Sequence, residues 1–211
     1  PLIGQSIFVT DGARWKRQRG MIDPAFSQLR VSHAFDAMQS AVLDHLDVLD
    51  GHAKSGDSFS LDMAMSHLTA DVICRTIFST PLAAGVSSDV FEDFTEFEQS
   101  VAQVDIFRLI FQKAWAKMPQ PPGVLAACQR IRGHLGDLLD PHLENPSAFN
   151  DIASDVIAAK DTDTGKAFTR EELIDQLGVF FLAGHETSAS ALTWVFYLLA
   201  EQPALVLRLR N

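Results

Sequence analysis

The residues best suited to chemistry interrupt a long apolar stretch near the end of the chain. They are Gly184, His185, Glu186, Thr187, Ser188 and Ser190. Inside a buried helix such residues cost stability, so their presence needs an explanation. A mid-helix threonine can donate its hydroxyl to the carbonyl four residues earlier, which for Thr187 is that of Ala183. Glu186 places an acid beside this alcohol, and Gly184 leaves room for water or a small ligand to approach the backbone.

The element that must hold these residues is a long helix. Thr169 with Glu172 three residues later forms a capping-box pattern, which marks a helix start. Apolar residues then continue through Leu199, and Gln202-Pro203 ends the pattern. About thirty residues at about 1.5 Å each give about 45 Å, enough to cross a globular domain. The sequence therefore predicts a buried central helix with the polar cluster at its middle.

A second candidate pair, Trp15 and Arg19, lies on a short helix predicted to follow an Asp11 cap. Residues four apart share a helix face, so the indole N–H and the guanidinium can act on one ligand. Arginine suits a carboxylate because its planar fork donates two parallel hydrogen bonds. Taken alone, the spacing favours a packed tryptophan and a solvated arginine. Lys16 and Arg17 point away from this face and are predicted to be free for a partner.

The rest of the chain reads as helices, and strand-like alternation is scarce. Apolar residues at spacings of three and four predict helices over residues 32–54, 62–78, 125–143 and 151–159. The first has a shared apolar face made by Phe35, Met38, Val42, Leu46 and Leu49. Between residues 81 and 123, prolines interrupt helical pieces rich in aromatic residues, among them Phe91, Phe107, Phe111 and Trp115. We therefore predict a mainly α fold.

Composition and charge exclude several classes of protein. The net charge is −10 over 211 residues and the one dense basic cluster is confined to residues 14–19, so a nucleic-acid role has little support. The longest apolar run, residues 191–200, is about half of the roughly 20 residues that a bilayer crossing needs. Cys74 and Cys128 lie far apart without CxxC spacing, which argues against a disulfide framework or a structural zinc site and favours a reducing, cytoplasmic compartment.

Residues 183–188 resemble the I-helix pattern of cytochrome P450 enzymes, (A/G)-G-x-(D/E)-T-(T/S). Trp15 and Arg19 resemble the W-x-x-x-R pattern of the C-helix in the same family, and the two motifs stand in the family's order. The resemblance implies a partial cytochrome P450 fold in which the long I-helix passes over a haem b. It further implies that Thr187 orders water for O2 activation, that Glu186 relays protons, and that Trp15 and Arg19 bind a haem propionate.

Further roles follow from the resemblance alone. It implies an oxygen or water groove at Ala183 and Gly184, and contacts to an apolar substrate from Phe180, Phe181, Leu182 and Ala183. The local strings are most similar to those of bacterial fatty-acid hydroxylases, which suggests a fatty acid. Lys16 and Arg17 are expected to dock a ferredoxin, a flavodoxin or a reductase domain that passes on electrons from NAD(P)H, although a plain solvated surface explains them equally well.

One family motif has no counterpart in this sequence. The P450 iron is held by a cysteine thiolate in a segment resembling F-x-x-G-x-R-x-C-x-G, and neither Cys74 nor Cys128 has that context. Both read as small buried residues. We therefore expect residues 1–211 to be part of a P450 domain whose iron ligand lies beyond Asn211, and we expect the isolated chain to give no thiolate-haem carbon monoxide spectrum.

Two other interpretations compete with the enzymatic one. His185-Glu186 begins the H-E-x-x-H pattern of zinc proteases, but Ala189 stands where the second histidine is required. Alternatively, Glu186 and Thr187 line a structural water pocket between helices, and the chain is a non-enzymatic α-helical domain that binds a small molecule or a partner. His185 itself is predicted to face a neighbouring helix, since the pattern places no constraint on that position.

Overall fold

The structure, a computed structural model, describes residues 2–82, 93, 94, 97 and 121–210. Its helices are α1 (Gly12–Ile22), α2 (Gln28–Ser55), α3 (Leu61–Phe78), α4 (Pro122–Glu144), α5 (Ile152–Ala158), α6 (Arg170–Glu201) and α7 (Pro203–Arg210), with 3-10 turns at Asp23–Phe26 and Pro146–Ala148. Along these residues no strand occurs, apart from one isolated bridge between Lys160 and Ala167. The predicted mainly α fold is confirmed. The aromatic pieces around Phe91, Phe107, Phe111 and Trp115 lie outside the described residues.

The long central helix is α6, and its start is the predicted capping box. The hydroxyl of Thr169 accepts a hydrogen bond from the backbone N–H of Glu172 at 3.2 Å, and the Glu172 carboxylate accepts one from the N–H of Thr169 at 2.9 Å. These two bonds satisfy donors that a helix start leaves unpaired. The helix runs for 32 residues, about 48 Å, and ends at Gln202 before Pro203.

The first half of α6 is the centre of the core. Its buried residues Leu173, Ile174, Leu177 and Phe181 pack with Cys74, Ile77 and Phe78 of α3 and with Ile131, Leu135 and Leu139 of α4. The second half is different, because large apolar side chains there remain exposed: Trp194, Val195, Phe196, Tyr197 and Leu198. The prediction of a buried helix is therefore correct for the first half of α6 and wrong for the second half within the described structure.

Helix α2 forms where the periodicity predicts one, but its apolar face is open. It begins at Gln28, earlier than predicted, and ends at Ser55, where the C-cap residue Gly56 has a φ of +75° that suits glycine. On the predicted apolar face, Phe35 is 63% exposed and Leu46 is 46% exposed. Periodicity identified the helix correctly, but the face that it predicted to be covered is largely exposed in the described structure.

The segment before α1 folds back onto α6. The backbone N–H of Gln5 donates to the Asp175 carboxylate at 2.8 Å, and Arg132 of α4 binds the same carboxylate at 2.6 Å. Gly4 has a φ of +41°, and a Cβ there would clash with the carboxylate of Asp175, so only glycine fits. Asp11 is the first residue before α1, but its side chain makes no cap hydrogen bond. This junction sets α1 beside the start of α6.

No individual helix in the described part of the chain has the length and hydropathy for a membrane crossing. Helices α6 and α7 meet that test only when they are joined, and they are bent by 107° at the break between them.

Candidate active site

The acid and the alcohol lie on an open face of α6. Thr187 Oγ1 donates a hydrogen bond of 2.7 Å to the carbonyl oxygen of Ala183, as the sequence predicts. Ala183, Glu186, Thr187 and Ser190 are all exposed. Since residues three and four apart share a helix face, these four form one stripe along the helix. The stripe presents a carboxylate and a hydroxyl side by side to whatever covers it.

His185 lies on the opposite, buried face of the same turn. It is 3% exposed, and its ring centroid is 5.7 Å from that of Phe181 and 6.2 Å from that of Phe94. Burial lowers the pKa of His185 to about 4, with a smaller contribution in the same direction from His67, while Asp62 opposes the shift. The imidazole is therefore neutral at pH 7. The prediction that His185 faces a neighbouring helix is confirmed.

Gly184 serves helix packing in this structure. A Cβ at this position would clash with Cδ1 of Ile73 on α3 and would lie 3.1 Å from its Cγ1. The missing side chain thus allows α3 to approach α6 closely. The sequence-based expectation of space for water or a ligand beside Gly184 is not met, because Ile73 fills it. A groove at Ala183, on the open face, stays a prediction.

The residues preceding the motif are divided between the core and its edge. Phe181 is 3% exposed, stacks on Phe94 with ring centroids 4.7 Å apart, and lines an apolar cavity of about 230 Å³ next to Cys74. Phe180 is half-buried and packs edge-on against Phe26 at 5.0 Å. Leu182 is half-buried. The structure therefore places Phe181 in the core and off the open stripe, and the substrate contacts of Phe180, Phe181, Leu182 and Ala183 stay predictions.

Trp15 and Arg19 are exposed together on α1. Trp15 is 41% exposed, and the Arg19 side chain forms an ion pair of 2.6 Å with Asp23, the residue four positions later. Because both members of the pair are more than half exposed, it is readily exchanged for another partner. Sequence reasoning missed Asp23, although the spacing of four residues was a visible signal.

Arg17 is engaged within the chain, contrary to the expectation that it is free. Its guanidinium lies 3.1 Å from the carboxylate of Glu172, 3.5 Å from that of Asp161 and 3.4 Å from the carbonyl oxygen of Ala167. It also lies over the ring of Phe168, 5.4 Å from the centroid. Arg17 does point away from Trp15 and Arg19 as predicted, but towards α6. Lys16 remains exposed.

The two cysteines are buried, as predicted. Cys74 is 2% exposed and Cys128 is 1% exposed. Burial raises the pKa of the Cys74 thiol to about 12, and the nearby Asp71 carboxylate adds to the shift, so the thiolate needed by a metal is disfavoured. Across the residues that the structure describes, no group of three or more histidine, cysteine, aspartate or glutamate side chains is arranged to hold a metal ion.

Similarity to known proteins identifies the family of this chain. Residues 1–211 match the family described as Cytochrome P450. Cyclooctatin synthase of Streptomyces melanosporofaciens is 27% identical, over 96% of this chain and 43% of that protein. LUTEIN DEFICIENT 5, chloroplastic, of Arabidopsis thaliana is 26% identical, over 100% of this chain and 37% of that protein. The bifunctional cytochrome P450/NADPH–P450 reductase ALT2 of Alternaria alternata is 24% identical, over 99% and 19%. The chain spans less than half the length of each.

Solved structures give the same result for the fold. A cytochrome P450, CYP102L1, superposes with a TM-score of 0.77 at 18% identity, covering 96% of this chain and 47% of that one. The retinoic acid-bound cyanobacterial CYP120A1 superposes with a TM-score of 0.76 at 20% identity, covering 99% and 45%. Three observations indicate the same family: the mainly α fold, the long helix with its acid–alcohol pair, and the match along the whole sequence. The chain belongs to the cytochrome P450 family.

Proposed function

We propose that these residues form part of a cytochrome P450 monooxygenase, which inserts one atom of O2 into an apolar organic substrate. The observation that carries the proposal is the hydrogen bond from Thr187 to Ala183 on the open face of α6, with Glu186 beside it. The activity belongs to the whole protein, because this chain spans less than half the length of its relatives. The exposed apolar half of α6 supports this view, since soluble domains rarely leave such a patch uncovered.

The exposed residues of α1 fit the propionate group of a haem. Trp15 offers an indole N–H and Arg19 a guanidinium on one face, and both are donors that suit a carboxylate. A propionate can replace Asp23 as the partner of Arg19, because that ion pair is largely solvent-exposed. When bound, haem b supplies the redox chemistry that activates O2. Its thiolate ligand must come from a residue other than the two buried cysteines.

The chain's own contribution is to hold water and move a proton. Since the Thr187 hydroxyl donates its hydrogen to Ala183, its oxygen keeps lone pairs that can accept a hydrogen bond from a water molecule. The exposed Glu186 carboxylate can take a proton from solvent and pass it to that water. Thr187 Oγ1 therefore orients the water and Glu186 supplies the proton.

The substrate and the source of electrons are proposed at a coarser level. Ala183 on the open stripe and the half-buried Phe180 and Leu182 favour an apolar substrate, with a fatty acid as one candidate. Relatives in which a P450 is joined to an NADPH–P450 reductase support delivery of NADPH-derived electrons by a reductase domain or a separate protein. On α1, the exposed Lys16 is the better candidate for docking such a partner, because Arg17 is engaged with α6.

A combined spectroscopic and isotopic experiment on the whole enzyme tests the proposal. The reduced protein with carbon monoxide should show the absorption band of thiolate-ligated haem. With NADPH, a redox partner, a panel of apolar substrates and ¹⁸O2, one ¹⁸O atom should appear in the product and the other in water. A protein that binds apolar ligands but no haem would contradict the proposal and favour a non-enzymatic binding domain. So would a product whose oxygen comes from water.

A further inference from the structure

We propose that Arg17 is a positioning residue that fixes the rotation of α1, and with it the direction of Trp15 and Arg19, against the start of α6. The inference deepens the proposed function and rests on it, because the pair that Arg17 would orient is the proposed propionate site. Arg17 touches no proposed cofactor or substrate. It acts through the helix that carries the donors.

The geometry of α1 separates the two roles. At about 100° per residue, Trp15 and Arg19 lie within about 40° of one another, while Arg17 lies roughly opposite them. Trp15 and Arg19 are exposed, whereas the Arg17 side chain is only 24% exposed and contacts α6. A contact on the rear of a helix restrains rotation about the helix axis, so it determines where the front face points.

The anchor on α6 is itself a fixed group. Glu172 is the third residue of α6, and one of its carboxylate oxygens accepts from the Thr169 backbone N–H at 2.9 Å while the other accepts from Arg17 at 3.1 Å. Burial alone would raise the pKa of Glu172, but the hydrogen bonds from Thr169 and Arg17 outweigh it and hold that pKa below its usual range. The carboxylate is therefore charged, and the capping box orients it towards α1.

The Arg17 guanidinium makes several contacts besides its ion pair with Glu172. Besides Glu172, its guanidinium donates to the carbonyl of Ala167 at 3.4 Å, lies 3.5 Å from Asp161 and covers the Phe168 ring. A planar guanidinium can make these contacts together, whereas a lysine ammonium is a point charge without the flat face or the fork. Lysine at this position should therefore replace arginine only in part.

The neighbouring Gln18 supports the same side of α1. It is fully buried, donates to the carbonyl of Gln5 at 2.7 Å and accepts from the Thr10 hydroxyl at 2.8 Å. Gln18 ties α1 to the segment before it, and Arg17 ties α1 to α6. Arg17 connects the proposed propionate site directly with the helix that bears Glu186 and Thr187, whereas Gln18 reaches that helix only through Gln5, whose backbone N–H binds Asp175.

The test compares Arg17→Gln with Lys16→Gln in the whole haem-loaded enzyme. Haem loss is followed by transfer to excess apomyoglobin, and the propionate bending bands are followed by resonance Raman spectroscopy. We expect Arg17→Gln to lose haem faster by on the order of tenfold and to shift the propionate bands, because a set of charged hydrogen bonds is lost. Lys16→Gln, an exposed change on the same helix, should do neither. Arg17→Lys should be intermediate.

A charge exchange separates positioning from a general loss of structure. Arg17→Glu alone should behave like Arg17→Gln or worse, and the combined Arg17→Glu/Glu172→Arg protein should recover part of the haem retention and of the Raman signature. If Arg17→Gln matches Lys16→Gln in both readouts, the inference is overturned while the proposed function stands. If Arg17→Gln only lowers the melting temperature and leaves the propionate bands unchanged, the inference is also overturned. A wild-type enzyme that binds no haem overturns the proposed function itself.

Discussion

At the scale of single residues, one turn of α6 holds two groups with opposite environments. Glu186 and Thr187 are open on one face, and His185 is buried with aromatic neighbours on the other. The arrangement explains why a short polar run can stand in an apolar helix. The exposed acid and alcohol are available for chemistry, while the histidine is neutral and fills the space between helices.

Burial of His185 should make stability depend on pH. The unfolded chain protonates this residue near pH 6.5, but the folded protein does so only near pH 4. The unfolded state therefore binds more protons between these values, and the free energy of unfolding falls as pH drops from 6.5 to 4, by at most about 3 kcal/mol. Urea unfolding of the whole enzyme at pH 7.0, 5.5 and 4.5 measures this loss.

The matched variants for this prediction are His185→Phe and His52→Phe. His185→Phe keeps an aromatic ring beside Phe181 and should give a flatter pH profile than the wild type. His52→Phe removes an imidazole that stacks on Phe59 at the edge of α2 and should leave the His185 contribution in place. A profile that keeps its wild-type steepness in His185→Phe would show that another group causes the acid sensitivity.

Local contacts at this scale could be predicted from the sequence, and distant ones could not. The bond from Thr187 to Ala183 spans four residues, so helix geometry alone specifies it. The contact between Arg17 and Glu172 spans 155 residues, and nothing in either local pattern indicates it. Reading α1 as an isolated helix placed Arg17 correctly on its rear face but predicted that it is free for a partner, whereas the side chain contacts α6.

At the scale of elements, the packing of α3 against the turn of α6 that carries Glu186 and Thr187 depends on Gly184. Replacing a helical glycine with alanine ordinarily stabilises a helix by about 1 kcal/mol. At Gly184 the added Cβ meets Ile73, so Gly184→Ala should instead destabilise the protein by about 1–3 kcal/mol through overpacking. Thermal or urea unfolding of the whole enzyme shows whether Gly184→Ala lowers or raises the free energy of unfolding.

Gly133 provides the control, because a Cβ there has no neighbour within 4 Å and the residue lies exposed within α4. Gly133→Ala should be neutral or stabilising by up to about 1 kcal/mol. Adding Ile73→Val to Gly184→Ala should recover part of the loss, since it removes the clashing Cδ1 methyl. If Gly184→Ala stabilises the protein as Gly133→Ala does, Ile73 of α3 does not pack closely against Gly184.

The positions of the helices could largely be predicted from the sequence, but the burial of their apolar faces could not. The capping box at Thr169 and Glu172, the length of α6 and its end before Pro203 follow from local chemistry. Whether an apolar face is covered depends on what lies opposite. The second half of α6 and the Phe35 face of α2 are therefore exposed in the described structure despite their apolar residues.

At the scale of the whole molecule, α6 joins the parts of the proposed site. Its first turn holds α1 through Arg17, its middle carries Glu186 and Thr187, and its second half presents exposed aromatic and aliphatic side chains. The match to the family runs along the whole chain, but over less than half of the relatives' length. The roles that we propose for this chain are therefore proton delivery and propionate binding, and neither of its two buried cysteines is proposed as the iron ligand.

Product yield per NADPH in Thr187 variants tests the central claim most directly. Thr187→Ala removes the hydroxyl that would hold the water, so electrons from NADPH should reduce O2 to peroxide or water instead of forming product. We expect product per NADPH to fall at least about tenfold in Thr187→Ala. Thr187→Ser keeps the hydroxyl, can still donate to Ala183, and should retain most of the yield. An unchanged product yield in Thr187→Ala, with haem bound and NADPH consumed normally, would contradict the assignment of proton delivery to this face of α6.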